Sequence, residues 1–132
     1  MAKIPDAARH LFEGQSFAHV ATLNPDGSPQ VSPVWIGLDG DTVTFNTAEG
    51  RVKPKNLRND PRVAISIADG ENPYENVLVQ GRATEITPEG ADADIDALAK
   101  RYLGADEYPF RQPGEERLIV RIEAEKVNHQ AS

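Results

Sequence analysis

Ser16-Phe17-Ala18-His19-Val20-Ala21-Thr22-Leu23-Asn24-Pro25-Asp26-Gly27-Ser28-Pro29-Gln30-Val31-Ser32-Pro33-Val34-Trp35-Ile36-Gly37-Leu38 is the stretch that decides the fold class. Residues 16–23 read as a strand. Asn24-Pro25-Asp26-Gly27 then puts Pro at the second turn position and Gly where φ is positive, so the chain reverses into a second strand over 29–38 as a hairpin. The pattern continues outward. Asp39-Gly40 makes the next turn, and Thr42-Val43-Thr44-Phe45-Asn46 alternates strictly, sending Val43 and Phe45 inward and the polar set to the opposite side. Val63, Ile65 and Ile67 alternate with Ala64, Ser66 and Ala68, a bulky face and a small face that lets something pack closely. A long strand over 76–86 carries Gly81 inside it, the mark of a bulge or of a close approach, and 117–123 supplies a sixth strand.

Short strands between turn signals predict a mainly β chain, a small barrel or sandwich with three helices, the first two short. Asp6 would cap the first, which runs through Phe12 to a stop at Gly14, and the second spans 54–59. The third has Thr87 as N-cap, Pro88 at the first helical position, and Asp92, Asp94 and Asp96 near the positive end of the dipole. Lys100 and Arg101 sit near its negative end, Gly104 stops it, and the stripe Ala91, Ile95, Leu98, Ala99, Tyr102 faces the barrel.

At 132 residues the chain is expected to be a single domain over 1–132. It has no cysteine, which excludes a disulfide scaffold, a thiolate metal site and a cysteine nucleophile. There is no run of about 18 apolar residues, and Met1 to Phe12 lacks the apolar core of a signal peptide. The expectation is a cytoplasmic protein with no membrane partner. A net charge of -7 argues against nucleic acid, whose phosphates need a basic face.

The average hides one local exception. Arg51, Lys53, Lys55, Arg58 and Arg62 crowd a short segment whose single acid is Asp60, the one place suited to hold an anion. In Asn46-Thr47-Ala48-Glu49-Gly50-Arg51-Val52-Lys53-Pro54-Lys55-Asn56-Leu57 a strand ends in polar residues, Gly gives the backbone room, and two cations precede a helix. Free amides at that helix start, its dipole, and the Arg51 and Lys53 side chains would converge on one phosphate. The plainer reading of the same charges is a solvated loop that neutralises nearby acids. Arg58 and Arg62 read as structural.

Other constellations fall away. Asp92, Asp94 and Asp96 resemble the start of a calcium loop, but Ala97 and Leu103 stand where its Gly and Glu belong. His10, His19 and His129 are far apart in sequence and in no metal-ligand spacing, so no metal is expected. No serine sits in a nucleophile elbow, and glycine-rich dinucleotide and phosphate-loop patterns are absent. Trp35, the lone tryptophan, is either the largest core residue or the edge of a site for a flat heterocycle. Tyr74, Tyr108 and Arg111 lie in Pro- and Gly-rich loops that serve as turns or as lids, while Glu115, Glu116 and Arg117 read as a solvated approach to the last strand.

Several segments together carry a family resemblance: Phe17 to Leu23 with Asp26-Gly27-Ser28-Pro29-Gln30; Ser32-Pro33-Val34-Trp35; Arg51-Val52-Lys53 to Asn56-Leu57 and Asp60-Pro61-Arg62; and Val79-Gln80-Gly81-Arg82. With Tyr108-Pro109-Phe110-Arg111 leading into the last strand, the chain resembles the pyridoxamine 5'-phosphate oxidase-like split-barrel superfamily. Within it the chain is most similar to the flavin/deazaflavin oxidoreductase branch that uses coenzyme F420.

The resemblance implies a six-stranded antiparallel split barrel, paired as a homodimer with two cofactor sites at the interface. It would set the cofactor phosphate on Arg51 and Lys53, and the ring along Pro33, Val34 and Trp35 with Asn46, Thr47 and Ala48. Its wider set takes in Gln30, Ser32, Val52, Asn56, Tyr74 and Gln80. The implied activity is an F420H2-dependent reductase that passes a hydride to a small electrophilic acceptor such as an enone, quinone or tetrapyrrole, with no catalytic acid assigned. Two alternatives stay open, an FMN-binding oxidoreductase of the same fold and a non-catalytic protein that holds the cofactor or haem. Pyridoxamine 5'-phosphate oxidation itself is not expected, because little chain follows Glu123 to supply that enzyme's substrate-binding tail.

Overall fold

The hairpin expected over 16–38 forms, and its second arm turns out to close the sheet. The computed structural model describes residues 2–131. A 3-10 turn (Asp6–Ala8) leads into α1 (Arg9–Glu13), then β1 (Ala18–Leu23), β2 (Pro29–Val34), β3 (Ile36–Asp39) and β4 (Thr42–Ala48). There follow α2 (Val52–Asn59), β5 (Arg62–Ala68), β6 (Asn76–Thr87), α3 (Ala91–Leu103) and β7 (Arg117–Gln130). None of the described helices is long and apolar enough to cross a membrane.

All neighbouring strands run antiparallel, in the order β2-β1-β5-β6-β7-β4-β3. The sheet therefore has seven strands where the sequence predicted six. The predicted strand over 29–38 is broken at Trp35: its first half pairs with β1 at one edge and its second half with β4 at the other. One residue separates Val34 from Ile36, and two virtual bonds reach at most about 7 Å, so the opposite edges must lie side by side. That requirement curls the sheet into a split barrel. Counted as one strand, 29–39 is the staple across the split.

Inside, Phe12, Ile36, Phe45, Val20, Ile67 and Val120 are fully buried. Gly81 sits at a shift in the β6–β7 register, and a Cβ there would come within 2.2 Å of the Glu123 carbonyl oxygen, which is the close approach that the sequence indicated.

Three local expectations change. Thr87 does not cap α3 because it still pairs with Ile119 in the sheet; the helix waits until Gly90, at φ 76°, has turned the chain. Asp6 lies within the 3-10 turn and caps nothing, since Pro5 precedes that turn without a side-chain cap. The alternation in β4 is real, with Thr47 on the inner face beside Val43 and Phe45, but Thr44 and Asn46 on the other face are buried as well, because α3 packs over that side of the sheet. The last strand also runs on to Gln130, held by pairing along the whole length of β6.

Candidate functional site

At the C-terminal end of β4 the chain leaves the sheet through Glu49 and Gly50, the latter at φ 92°, where only glycine is free of strain. Arg51 follows as the N-cap of α2 in an extended conformation, and no side chain caps the first turn of that helix. Its leading amides are thus left for an acceptor from outside. Pro54 stands within that first turn, where its missing N–H leaves nothing unsatisfied.

The cations differ in how fully they are engaged. Arg58 pairs with Glu49 at 2.8 Å and Arg62 with Asp60 at 2.7 Å, so each has a carboxylate partner within the chain. The hydrogen bond from Arg62 holds the Asp60 carboxyl down to about 2. Arg51 is exposed and reaches only 3.6 Å from Glu115. Lys53 is half-buried and donates from Nζ to the Ser32 hydroxyl on β2, a neutral partner. Burial pushes the Lys53 ammonium below its ordinary value, and the neighbouring Arg51 adds to the effect. An anion placed here would relieve both.

Two hollows share Arg51. One, about 330 Å³, is lined by Glu49, Gly50, Arg51, Lys55 and Arg58. The other, about 190 Å³, is bounded by Pro33, Val34, Trp35, Asn46, Tyr108 and Arg117 among others. Trp35 is half-buried, outside the core; its ring stacks on Tyr102 at 5.3 Å and 10°, and Tyr108 meets it edge-on at 6.0 Å. Tyr102 is fixed in turn. Its hydroxyl donates to the Ser16 carbonyl at 2.7 Å and accepts from the Ile36 amide at 3.2 Å, while burial raises its pKa.

A buried polar network adjoins the cations and is linked to Arg51 through Glu115. Arg117 is 4% exposed; it donates to Asn46 Oδ1 at 2.9 Å, pairs with Glu115 at 3.1 Å and stands 5.0 Å from the Tyr108 ring centre. The Asn46 amide spends its remaining donors on the Ala91 carbonyl and on Asp94, both at 2.9 Å. This corrects one expectation: the approach to the last strand is not solvated at Arg117. Asn46, which also lines the Trp35 cavity, has its polar atoms engaged with the scaffold. Nothing local in the sequence marks Arg117 as buried; only its register opposite Ala48 shows it.

Among the expected site residues, Pro33, Val34, Trp35, Asn46 and Arg51 share one cavity, and Lys53 and Ser32 meet beside it on β2 and α2. Thr47 and Ala48 are buried in β4, and Val52 is exposed on α2. Gln30 contacts Thr22 at 3.4 Å. Asn56 is buried and donates to Thr22 and Asn24, both at 3.0 Å, tying α2 to the β1 hairpin. Gln80 and Tyr74 are not brought to the Trp35 cavity. Gln80 borders a separate hollow of about 400 Å³ with Thr22, Ala64 and Gly81, and Tyr74 is 73% exposed in the β5–β6 loop.

Comparison with known proteins supplies a frame for this geometry. Residues 4–131 match the family model described as pyridoxamine 5'-phosphate oxidase. Among solved structures, the chain is similar to one called an F420 reductase, at 31% identity and a TM-score of 0.82, over 95% of this chain and 98% of that one. A conserved hypothetical protein from Mycobacterium tuberculosis is 25% identical, with a TM-score of 0.77 over 96% of this chain and 84% of its own. HupZ from Group A Streptococcus shares the fold at 23% identity, with a TM-score of 0.66 over 98% of this chain and 99% of its own.

Proposed function

Because the chain belongs to the pyridoxamine 5'-phosphate oxidase family, we propose that it is an oxidoreductase that binds coenzyme F420 at the start of α2 and reduces a small electrophilic organic acceptor. One observation carries this reading: Arg51 lines both the basic hollow and the aromatic cavity, so a single ligand with a phosphate and a flat ring could occupy the two together. The likeness to an F420 reductase supports the choice of deazaflavin. When bound, that cofactor supplies a hydride, because carbon replaces the reactive flavin nitrogen and makes it a two-electron carrier.

The protein's own contribution is binding and orientation. Arg51, Lys53 and the free amides of α2 hold the phosphate, with Ser32 keeping Lys53 aimed along β2. Lys55, in the same basic hollow, meets the acidic tail. Backbone groups of Pro33 and Val34 face the ring, and Trp35 packs at its edge from a position that Tyr102 fixes by stacking. Tyr108 and Phe110 wall the cavity and exclude water. The proton that follows the hydride comes from solvent or a loop residue.

The working unit of this proposal is a homodimer. Val31 and Leu78 are 61% and 46% exposed on the outer side of β2 and β6, with small Ala21, Ala64 and Ser66 between them, a face that a second copy could cover closely. Gln80 shares that face.

Titrating Trp35 fluorescence with F420 and, in parallel, FMN tests the reading. Tight, salt-sensitive quenching by F420 with weak FMN binding is expected. Preference for FMN would move the protein to flavin chemistry, and binding without turnover on any acceptor would leave a carrier.

A further inference from the structure

The histidines that are far apart in sequence do not stay apart. His10 on α1 and His129 near the end of β7 approach the same carboxylate, Glu75, from two sides: His10 Nε2 lies 3.2 Å from Oε1 and His129 Nε2 lies 3.0 Å from Oε2. Asp69 joins them from the other end of the β5–β6 loop, where its amide donates to the Glu75 carbonyl at 2.9 Å and closes that loop. The loop is also tied to the segment after α1, through the Gly70 amide and the Ser16 hydroxyl at 3.3 Å. One donor atom from each of His10, Asp69 and Glu75 then falls within 4.8 Å of the others.

Ligand atoms about 2.0–2.2 Å from a tetrahedral zinc are roughly 3.4 Å apart, so closure needs only a small inward shift. His10, with a side chain 54% exposed, has room to make it. Two carboxylates converge here, and no Lys or Arg is paired with either among the described residues. Imidazole nitrogen beside carboxylate oxygen suits zinc-like cations, whereas magnesium and calcium take oxygen alone.

We propose that His10, Asp69 and Glu75 form a site for a borderline divalent cation such as Zn2+, with His129 hydrogen-bonded to Glu75 as the residue that positions that ligand. To bind, His10 presents the Nε2 lone pair, and the proton it shares with Glu75 passes to Nδ1 or to solvent. Water fills the remaining positions. His129 keeps donating to Oε2, the outer contact that ligating carboxylates commonly need. The cation would fasten α1 to the β5–β6 loop and so steady Tyr74, which directly precedes Glu75.

The test uses the full chain without a polyhistidine tag, freed of metal by chelator, and Zn2+ alone as the probe. Calorimetry should count about one Zn2+ per chain, and at a hundredfold excess over Kd the melting temperature should rise by roughly 10 °C. Asp69→Asn and His10→Gln should each weaken binding at least ~10-fold, and His129→Gln by about 10-fold with the stoichiometry unchanged. No uptake of Zn2+ would overturn the site, as would uptake that ignores Asp69→Asn or an equal response to Mg2+. Should a variant fail to fold, Co2+ added to the unmodified chain gives an independent readout. A visible absorption band of nitrogen-ligated Co2+ that Zn2+ then erases is expected, and its absence overturns the proposal.

Discussion

Two polar regions, one at Arg117 in the wall of the Trp35 cavity and one at Lys53 on α2, use charge in opposite ways. At Arg117 a guanidinium, an amide and a carboxylate are buried together with each partner engaged. At Lys53 an ammonium is half-buried against a hydroxyl, with another cation beside it and no close anion. The first arrangement is paired within the protein and braces the scaffold. The second is electrostatically incomplete in the protein alone, which is the condition for binding an anion. Which cations are functional is therefore decided by what remains unpaired after folding, and a count of positive residues does not reveal it.

The most severe way to break this contrast is Arg117→Ala, which leaves Asn46 Oδ1 buried without its partner and Glu115 with only the longer contact to Arg51. It should destabilise the fold by about 3–5 kcal/mol, read as a lower melting temperature and denaturant midpoint. Lys53→Ala should do the reverse. Stability should hold within ~0.5 kcal/mol while F420 affinity drops by about 1.5–3 kcal/mol, roughly 10- to 150-fold, in the fluorescence titration. An unfolded Lys53 variant or an unaffected affinity would erase the distinction.

A subtler separation comes from pH. Folding lowers the pKa of Lys53, so the folded state carries a penalty that is complete below that depressed value. The penalty fades as pH rises through it towards the ordinary lysine value. Stability contributed by this group should therefore climb with pH over that window, while affinity for the anionic cofactor falls over the same window. Opposite slopes in denaturant titration and ligand titration, both lost in Lys53→Ala, would assign them to one residue. The smallest effect expected is that of Arg58→Gln. Its pair with Glu49 is half exposed on both sides, and its loss should change stability by about 0–1 kcal/mol and affinity by less than the Lys53 variant does.

The two regions also differ in how far the sequence revealed them. Arg51, Lys53 and Lys55 fall within five residues, with Gly50 directly before them and Pro54 among them, so local physics suffices to read a helix start with cations on it. Arg117 meets Asn46 across 71 residues, and His10 and His129 each meet Glu75 from a separate part of the chain, contacts that exist only once the sheet has set its register. The strands were legible from alternation and the turns from glycine. The break at Trp35 was not, because both halves keep the pattern of a strand and differ only in which edge they pair with. The start of α3 was misplaced for a related reason: Thr87 and Pro88 have the chemistry of a cap, yet sheet pairing claims Thr87 first.

The one-residue link at Trp35 has a dynamic consequence. For the barrel to breathe along its split, β2 must loosen from β1 or β3 from β4, and the chain at the seam must swing with it. A ring bound against Pro33, Val34 and Trp35 would lie on that seam and oppose the motion. Amide hydrogen exchange at Val34 and Ile36 should therefore slow on cofactor binding more than exchange in the middle of β6, making the seam a gauge of barrel opening.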